Sequence, residues 1–245
     1  PICFGEEINF CVPTGNYGNV LAGYYAKCMG LPVKRFLVAS NANHVLYDFL
    51  TTGIYDRNRS FFKTISPSMD ILISSNLERL LYYKSGKDAD YIHELMKSLE
   101  EKGSYQVRSD IFKDIQKDFY GGYCDDETCA AIMKEFYEEK GYVLDPHTAV
   151  GYKVMKDYQK NDATPCVLLA TASPYKFAPA VENAIFQQSN EDEFACMEEL
   201  QRKSGARIPD SLLLLQGAKI RHEDVIDKED MRDYVEKTVK EMFHD

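Results

Sequence analysis

The segment Pro13-Thr14-Gly15-Asn16-Tyr17-Gly18-Asn19 constrains this chain more than any other, because of what flanks it. Residues 8–12 ahead of it form an apolar run of strand length, and residues 20–29 behind it have helical spacing. A loop in that position aims several backbone N–H groups, and the positive end of the helix dipole, at one point. That arrangement suits an anion, phosphate above all. Gly15 and Gly18 are expected to take backbone angles closed to other residues and to let a ligand approach closely, and Asn16 to tolerate the left-handed region. The nucleotide P-loop needs a Lys-Ser or Lys-Thr pair after its last glycine, and dinucleotide sites need GxGxxG spacing; neither is present here. A bare turn joining strand to helix is the competing reading of the same residues.

Around this loop the periodicities alternate. Residues 8–12, 20–29, 35–39 and 44–50 read as strand, helix, strand and helix, which predicts an α/β fold with a parallel sheet flanked by helices. From about residue 75 to 140 the pattern turns mainly helical, with Leu77, Leu80 and Leu81, then Ile92, Leu95 and Leu99, then Ile132, Phe136 and Tyr137 on repeating faces. This reads as a helical excursion from the sheet. Strand character returns at 166–170, and a helix follows over 174–186. The acidic stretch 191–201 reads as a solvent-facing helix, and 228–243 as a last amphipathic one. Asp145 before Pro146, and Ser173 before Pro174, have the chemistry of helix starts: an oxygen that accepts free N–H groups, then a proline with no donor to leave unpaired. With no repeat and no linker composition, residues 1–245 read as one unit.

Composition removes several function classes. Thirty-nine acidic against twenty-nine basic side chains leave a net charge of −10, with no basic patch to attract nucleic acid or anionic lipid. Apolar runs such as Leu212-Leu213-Leu214-Leu215 fall far short of the roughly 20 residues that cross a bilayer. The first seven residues have neither signal-peptide nor transit-peptide character, so the expected location is the cytosol. The seven cysteines, at 3, 11, 28, 124, 129, 166 and 196, show no CxxC pairing, and the histidines at 44, 93, 147, 222 and 244 are dispersed. Neither a disulfide framework nor a metal site is expected.

Five ordered motifs then carry a resemblance. They are the loop with its continuation Val20-Leu21-Ala22-Gly23-Tyr24-Tyr25-Ala26-Lys27, Ser66-Pro67-Ser68-Met69-Asp70-Ile71, Ser74-Ser75-Asn76-Leu77-Glu78-Arg79-Leu80-Leu81, Asp145-Pro146-His147-Thr148-Ala149-Val150-Gly151, and Thr171-Ala172-Ser173-Pro174-Tyr175-Lys176-Phe177. Together they resemble the carboxy-terminal part of the threonine synthases, fold-type II enzymes that use pyridoxal 5'-phosphate (PLP). The resemblance implies that Gly15, Asn16, Tyr17, Gly18 and Asn19 bind the PLP phosphate and that Thr171 faces the pyridine nitrogen, where a neutral hydroxyl suits an unprotonated ring. On its own residues, without the resemblance, Thr171 reads first as a buried strand-end threonine bonded to backbone. His147 either faces the active-site cleft or simply packs, Ser66-Pro67-Ser68 is either a loop beside the cofactor or a turn, and Ser74-Ser75-Asn76 reads as a cap for the helix after it.

The implied reaction converts O-phospho-L-homoserine, a phosphorylated amino acid, and water to L-threonine and phosphate. It needs a Schiff-base lysine, which the resemblance places before the phosphate loop in a Phe-Lys-Asp setting. No lysine occupies that place in this sequence. Phe112-Lys113-Asp114 comes after the loop, in a charged helical stretch, and Lys113 reads as a surface residue. The chain is therefore expected to lack the catalytic lysine and the amino-terminal half that completes the site. Alone it is expected to be inactive, to hold PLP weakly or not at all, and to self-associate through an unpaired sheet edge. Two other readings remain: another fold-type II lyase or dehydratase, and a non-catalytic phosphate-binding module.

Overall fold

Alternating apolar residues in the first strand are answered by partners on both of its faces. In the computed structural model, which describes residues 4–188, 190 and 192–243, β1 (Ile8–Pro13) leads into α1 (Gly18–Cys28), β2 (Val33–Ser40), α2 (Val45–Thr52) and β3 (Ile54–Asp56). After a short 3-10 turn at Pro67–Met69 come α3 (Leu77–Lys84), α4 (Ala89–Lys102), β4 (Ser104–Gln106), α5 (Ser109–Asp118) and β5 (Phe119–Tyr123). Next are α6 (Asp126–Lys140), α7 (Pro146–Gln159), β6 (Cys166–Leu168), a 3-10 turn at Pro174–Phe177, α8 (Ala178–Phe186) and α9 (Glu193–Ser204). The last elements are α10 (Asp210–Leu213), a 3-10 turn at Lys228–Asp230, and α11 (Met231–Phe243). Cys3 and His244 lie outside the described residues, as does Glu191, the first residue of the acidic helical stretch.

The main sheet is parallel throughout, in the order β5-β2-β1-β6, and β3 and β4 pair antiparallel in a separate ribbon. This is the α/β arrangement the alternating pattern predicts. Phe10 and Phe36 are register partners on one face, and Phe36 packs under α1 at Gly23, where an added Cβ would fall 2.6 Å from its ring. Cys11 points to the other face, its Sγ donating to Gly151 O of α7 at 3.1 Å. Successive strand residues face opposite ways, so α1 and α7 sandwich β1.

The excursion differs from expectation in one respect. Leu77, Leu80, Leu81, Ile92, Leu95 and Leu99 are buried as predicted, but the chain rejoins the sheet at β5, inside the stretch read as helical. Gly121 and Gly122 explain both the strand and its low sequence signal. A Cβ on Gly122 would lie 2.6 Å from Val154 Cγ1 of α7, and one on Gly121 would lie 3.2 Å from Leu50 and Tyr47 of α2. Both faces of β5 are therefore pressed by helices, and glycine erases the alternation that marks a strand. In α6 the innermost positions are Cys129 and Met133, with Ile132, Phe136 and Tyr137 only partly buried. Helix α9 is also not wholly solvent-facing, since Cys196, Met197 and Leu200 are buried on the side that meets α8.

Asp145 caps α7 as expected, accepting the N–H of His147 at 2.9 Å and of Thr148 at 3.3 Å, and Ser173 accepts the N–H of Tyr175 at 3.3 Å. By its internal contacts the chain divides into two compact units, Pro1–Pro209 and Asp210–Asp245. In the second unit Met231, Val235, Val239 and Met242 fall on one stripe of α11. Among the described residues no helix is long and apolar enough to cross a membrane, and no cluster of side chains could hold a metal ion.

Candidate phosphate-binding site

Pro13 ends β1, and the chain turns at once into α1. Thr14 anchors the turn from within: its N–H donates to Ala39 O at the end of β2 (3.0 Å), and its Oγ1 accepts the N–H of Tyr17 (3.0 Å). Five amides around that anchor remain. Among the described residues, the N–H groups of Gly15, Asn16, Gly18, Asn19 and Val20 have no hydrogen-bond acceptor. Three of them open α1, where no preceding turn exists to accept them, and the dipole adds partial positive charge at the same place. Asn16, Gly18 and Asn19 are exposed. The result is a solvent-facing nest of donors matched to an anion.

The loop reaches this shape by a route the sequence reading did not foresee. Neither Gly15 nor Gly18 takes a positive φ; the left-handed residue is Tyr17, at φ 63° and ψ 7°. That conformation costs a non-glycine residue roughly 1–2 kcal/mol. Burial of the ring offsets the cost, because the Tyr17 side chain is 0% exposed and its ring stands 6.0 Å from that of Phe119 in β5. In this structure the N–H of Tyr17 is taken up by Thr14 Oγ1 and its phenol lies in the core. Burial, with the nearby charge of Asp118, pushes that phenol well above the ordinary tyrosine range.

Gly15 is required by space. A Cβ there would lie 3.0 Å from Met69 Cα and 3.0 Å from Ile71 Cγ1, so the Ser66–Ile71 motif forms a wall against the loop. At Gly18 the nearest atom to an added Cβ is Asn76 Nδ2 at 3.6 Å, an ordinary contact. The second wall is the segment ahead of α3. Ser75 donates its N–H and its hydroxyl to Asn16 Oδ1 at 2.8 and 2.7 Å, and Asn76 Nδ2 donates to Asn16 O at 2.8 Å. The Asn16 side-chain oxygen is accordingly a clamp on that wall, and its backbone N–H remains for a ligand. Asn76 makes no side-chain cap of its own helix, so the expected capping role of Ser74-Ser75-Asn76 gives way to this contact.

The Ser66–Ile71 wall has internal supports of its own. Asp70 Oδ1 accepts from Asn41 Nδ2 (2.8 Å), Asn43 Nδ2 (2.9 Å) and Thr64 Oγ1 (2.7 Å), and its Oδ2 accepts the Thr64 N–H at 2.9 Å. His147 is buried and does not face solvent. Its Nδ1 lies 3.1 Å from Asp145 Oδ1, its Nε2 accepts the N–H of Ser68 at 3.2 Å, and its ring packs on Phe177. Thr171 is exposed just beyond β6, which rules out the buried strand-end reading, and it shares with Asn19 a cleft of about 580 Å³. The rest of that lining is largely apolar and includes Phe10, Leu31, Val167 and Leu169. Lys113 is exposed, as expected of a surface residue, and lies on α5.

The structure therefore brings Gly15, Asn16, Gly18, Asn19 and Thr171 to one side of the sheet and withdraws Tyr17 into the core. The clamp of Asn16 on Ser75 and the supports at Asp70 and His147 were not read from the sequence. Their only local signal was that each sits in one of the five motifs.

Comparison with known proteins adds to this geometry. Residues 148–211 match a family model described as threonine synthase, C-terminal. The chain is 45% identical over 185 residues to human threonine synthase-like 1, covering 75% of this chain and 25% of that protein. It is 40% identical over 203 residues to threonine synthase of Saccharomyces cerevisiae, covering 76% of this chain and 39% of that protein. Among solved structures it resembles threonine synthase from yeast, with a TM-score of 0.79 and 33% identity over 96% of this chain and 48% of that one. It also resembles PLP-bound threonine synthase from Brucella melitensis, with a TM-score of 0.72 and 39% identity over 78% of this chain and 41% of that one. The parallel sheet flanked by helices is the architecture of those structures, and the chain spans from a quarter to just under half the length of these relatives.

Proposed function

We propose that this chain, which corresponds to the carboxy-terminal part of threonine synthases, holds the phosphate of PLP on the amides that open α1. In this reading it contributes one wall of a site that turns O-phospho-L-homoserine and water into L-threonine and phosphate. The observation that carries the proposal is the run of N–H groups at Gly15, Asn16, Gly18, Asn19 and Val20, unpartnered among the described residues and gathered at one helix start, with Asn16, Gly18 and Asn19 exposed, Gly15 partly so and Val20 buried. A phosphate dianion complements that donor set, since it is negatively charged and each of its three terminal oxygens can accept more than one N–H. When bound, PLP supplies the electron withdrawal that stabilises carbanions next to the substrate nitrogen.

The chain's own residues then have separate tasks. Backbone N–H groups bind and orient the phosphate, and Gly15 lets the loop lie against Met69 without a side chain between them. Thr171 offers its hydroxyl to the ring nitrogen as a neutral donor. The lysine that holds the cofactor covalently, and the opposite wall that clamps the substrate, are assigned to the part of the relatives' length that this chain does not span. By itself the chain is proposed to bind the phosphate reversibly without turnover, and to need an amino-terminal partner segment for chemistry. The exposed edge at β6 is a proposed route of self-association in its absence.

The test is calorimetric titration with pyridoxine 5'-phosphate, which lacks the aldehyde and so cannot react with surface lysines. One-to-one binding, displaced by inorganic phosphate, is expected; binding no tighter than that of unphosphorylated pyridoxine would overturn the proposal. Borohydride reduction after mixing with PLP should leave no stoichiometrically modified lysine, and one such lysine in peptide mapping would remove the claim that the chain lacks its own.

A further inference from the structure

His147 lies in none of the contacts that hold a phosphate, yet its bonds lead to the loop. It is 2% exposed, as is Asp145, and its Nδ1 lies 3.1 Å from Asp145 Oδ1. A carboxylate only accepts, so Nδ1 carries the proton and Nε2 keeps its lone pair. That lone pair accepts the N–H of Ser68 at 3.2 Å, across 79 positions of sequence, from the first turn of α7 to the 3-10 turn Pro67–Met69. The residue after Ser68 is Met69, whose Cα would stand 3.0 Å from a Cβ at Gly15. From α7, then, one chain of contacts runs Asp145, His147, Ser68, Met69, Gly15.

The same wall is tied at its other end by Asp70, through Asn41, Asn43 and Thr64. The start of the turn is tied as well, since Ser66 O and Oγ accept from Asn41 Nδ2 at 3.3 and 3.1 Å, and the turn closes on itself through the N–H of Met69 to Ser66 O. His147 adds the tie at its middle: without the imidazole the Ser68 N–H loses its acceptor, and the segment between the two anchored ends, Met69 included, is held less firmly against Gly15. The Asp145 carboxylate has further partners, since it accepts the N–H groups of His147 and Thr148 and the Thr148 hydroxyl. Losing the imidazole therefore leaves the cap of α7 in place.

We infer that His147 is a positioning residue of the phosphate cup: its imidazole, held as one tautomer by Asp145, fixes Ser68 and so keeps the wall behind Gly15 in the place that gathers the loop amides. This deepens the phosphate-site reading and depends on it. A structural histidine would lower stability without changing ligand affinity in the folded protein, whereas a positioning residue changes affinity and the mobility of one distant amide.

The test uses the whole chain with His147→Phe, which keeps a ring against Phe177 but offers no acceptor, and His147→Gln, whose side-chain oxygen restores one. The readouts are the affinity for inorganic phosphate and pyridoxine 5'-phosphate, and the hydrogen exchange of the Ser68 amide. In the unchanged protein the Ser68 amide should be protected. His147→Phe should speed its exchange and weaken both ligands by about tenfold, and His147→Gln should recover most of each. Equal affinities in all three proteins would overturn the inference, as would a Ser68 amide that exchanges freely before any substitution. If His147→Phe does not fold, His147→Gln and the exchange of Ser68 in the unchanged protein decide the matter. If the unchanged protein binds neither ligand while Ser68 is protected through His147, the phosphate-site reading fails and the tie between α7 and the wall stands.

Discussion

Replacing Tyr17 with phenylalanine removes one oxygen, and the structure predicts that the protein becomes more stable. The phenol is fully buried, and among the described residues its hydroxyl has no hydrogen-bond partner. A buried hydroxyl without a partner carries a desolvation penalty of about 1–3 kcal/mol, against which the lost packing of a single atom is small. The ring itself stays in contact with Phe119, so the apolar burial that sustains the left-handed backbone at φ 63° is unchanged. A net gain of about 1–2 kcal/mol follows, which in a chain of this size raises the melting temperature by about 2–8 °C. Thermal unfolding followed by circular dichroism measures it. The same variant should bind pyridoxine 5'-phosphate as tightly as the parent, because the loop amides that remain free belong to other residues. A melting temperature that falls would show that the hydroxyl has a partner, a buried water or a polar group. A loss of phosphate affinity with the fold intact would show that the phenol takes part in the site, and either result refutes the reasoning given for Tyr17.

Three further outcomes are expected. Gly15→Ala pushes a methyl to 3.0 Å from the backbone of Met69, which gives way less readily than a side-chain end, and should weaken pyridoxine 5'-phosphate at least tenfold in calorimetry while the melting temperature falls only modestly. Lys84, only 5% exposed and paired with Asp114 at 2.8 Å and Asp118 at 2.6 Å, ties α3 to α5; Lys84→Met should cost about 1–3 kcal/mol in urea unfolding, a range discounted for the partly exposed carboxylates. Acid should weaken the same tie. Hydrogen bonds from Lys84 hold the Asp114 carboxyl below its ordinary range, and at Asp118 those from Lys27 and Lys84 outweigh burial, which acts the other way. Carboxyls lowered by folding add stability that is present above their unfolded value of about 4 and is lost as the pH falls through the folded value. Stability should therefore drop below about pH 4, with a shallower slope in Lys84→Met, as read from unfolding midpoints across the acid range.

Local pattern alone determined the order of the elements at both ends of the sheet, the place of the loop between β1 and α1, the buried leucines of α3 and α4, and the cap at Asp145. Each of these is decided within a few residues, by periodicity or by an oxygen next to free N–H groups, and so is legible along the chain. Tertiary structure decided the rest. Gly121 and Gly122 form a strand because α2 and α7 close on its two faces, and a pair of glycines has no alternation to show. Tyr17, and neither glycine, takes the left-handed angle because a core pocket beside Phe119 is there to receive its ring. Asn16 spends its side chain on Ser75, and His147 reaches Ser68, because the closed fold places them in contact. Distances of 59 and 79 positions along the chain become 2.8 and 3.2 Å only when the sheet has brought its connections to one end.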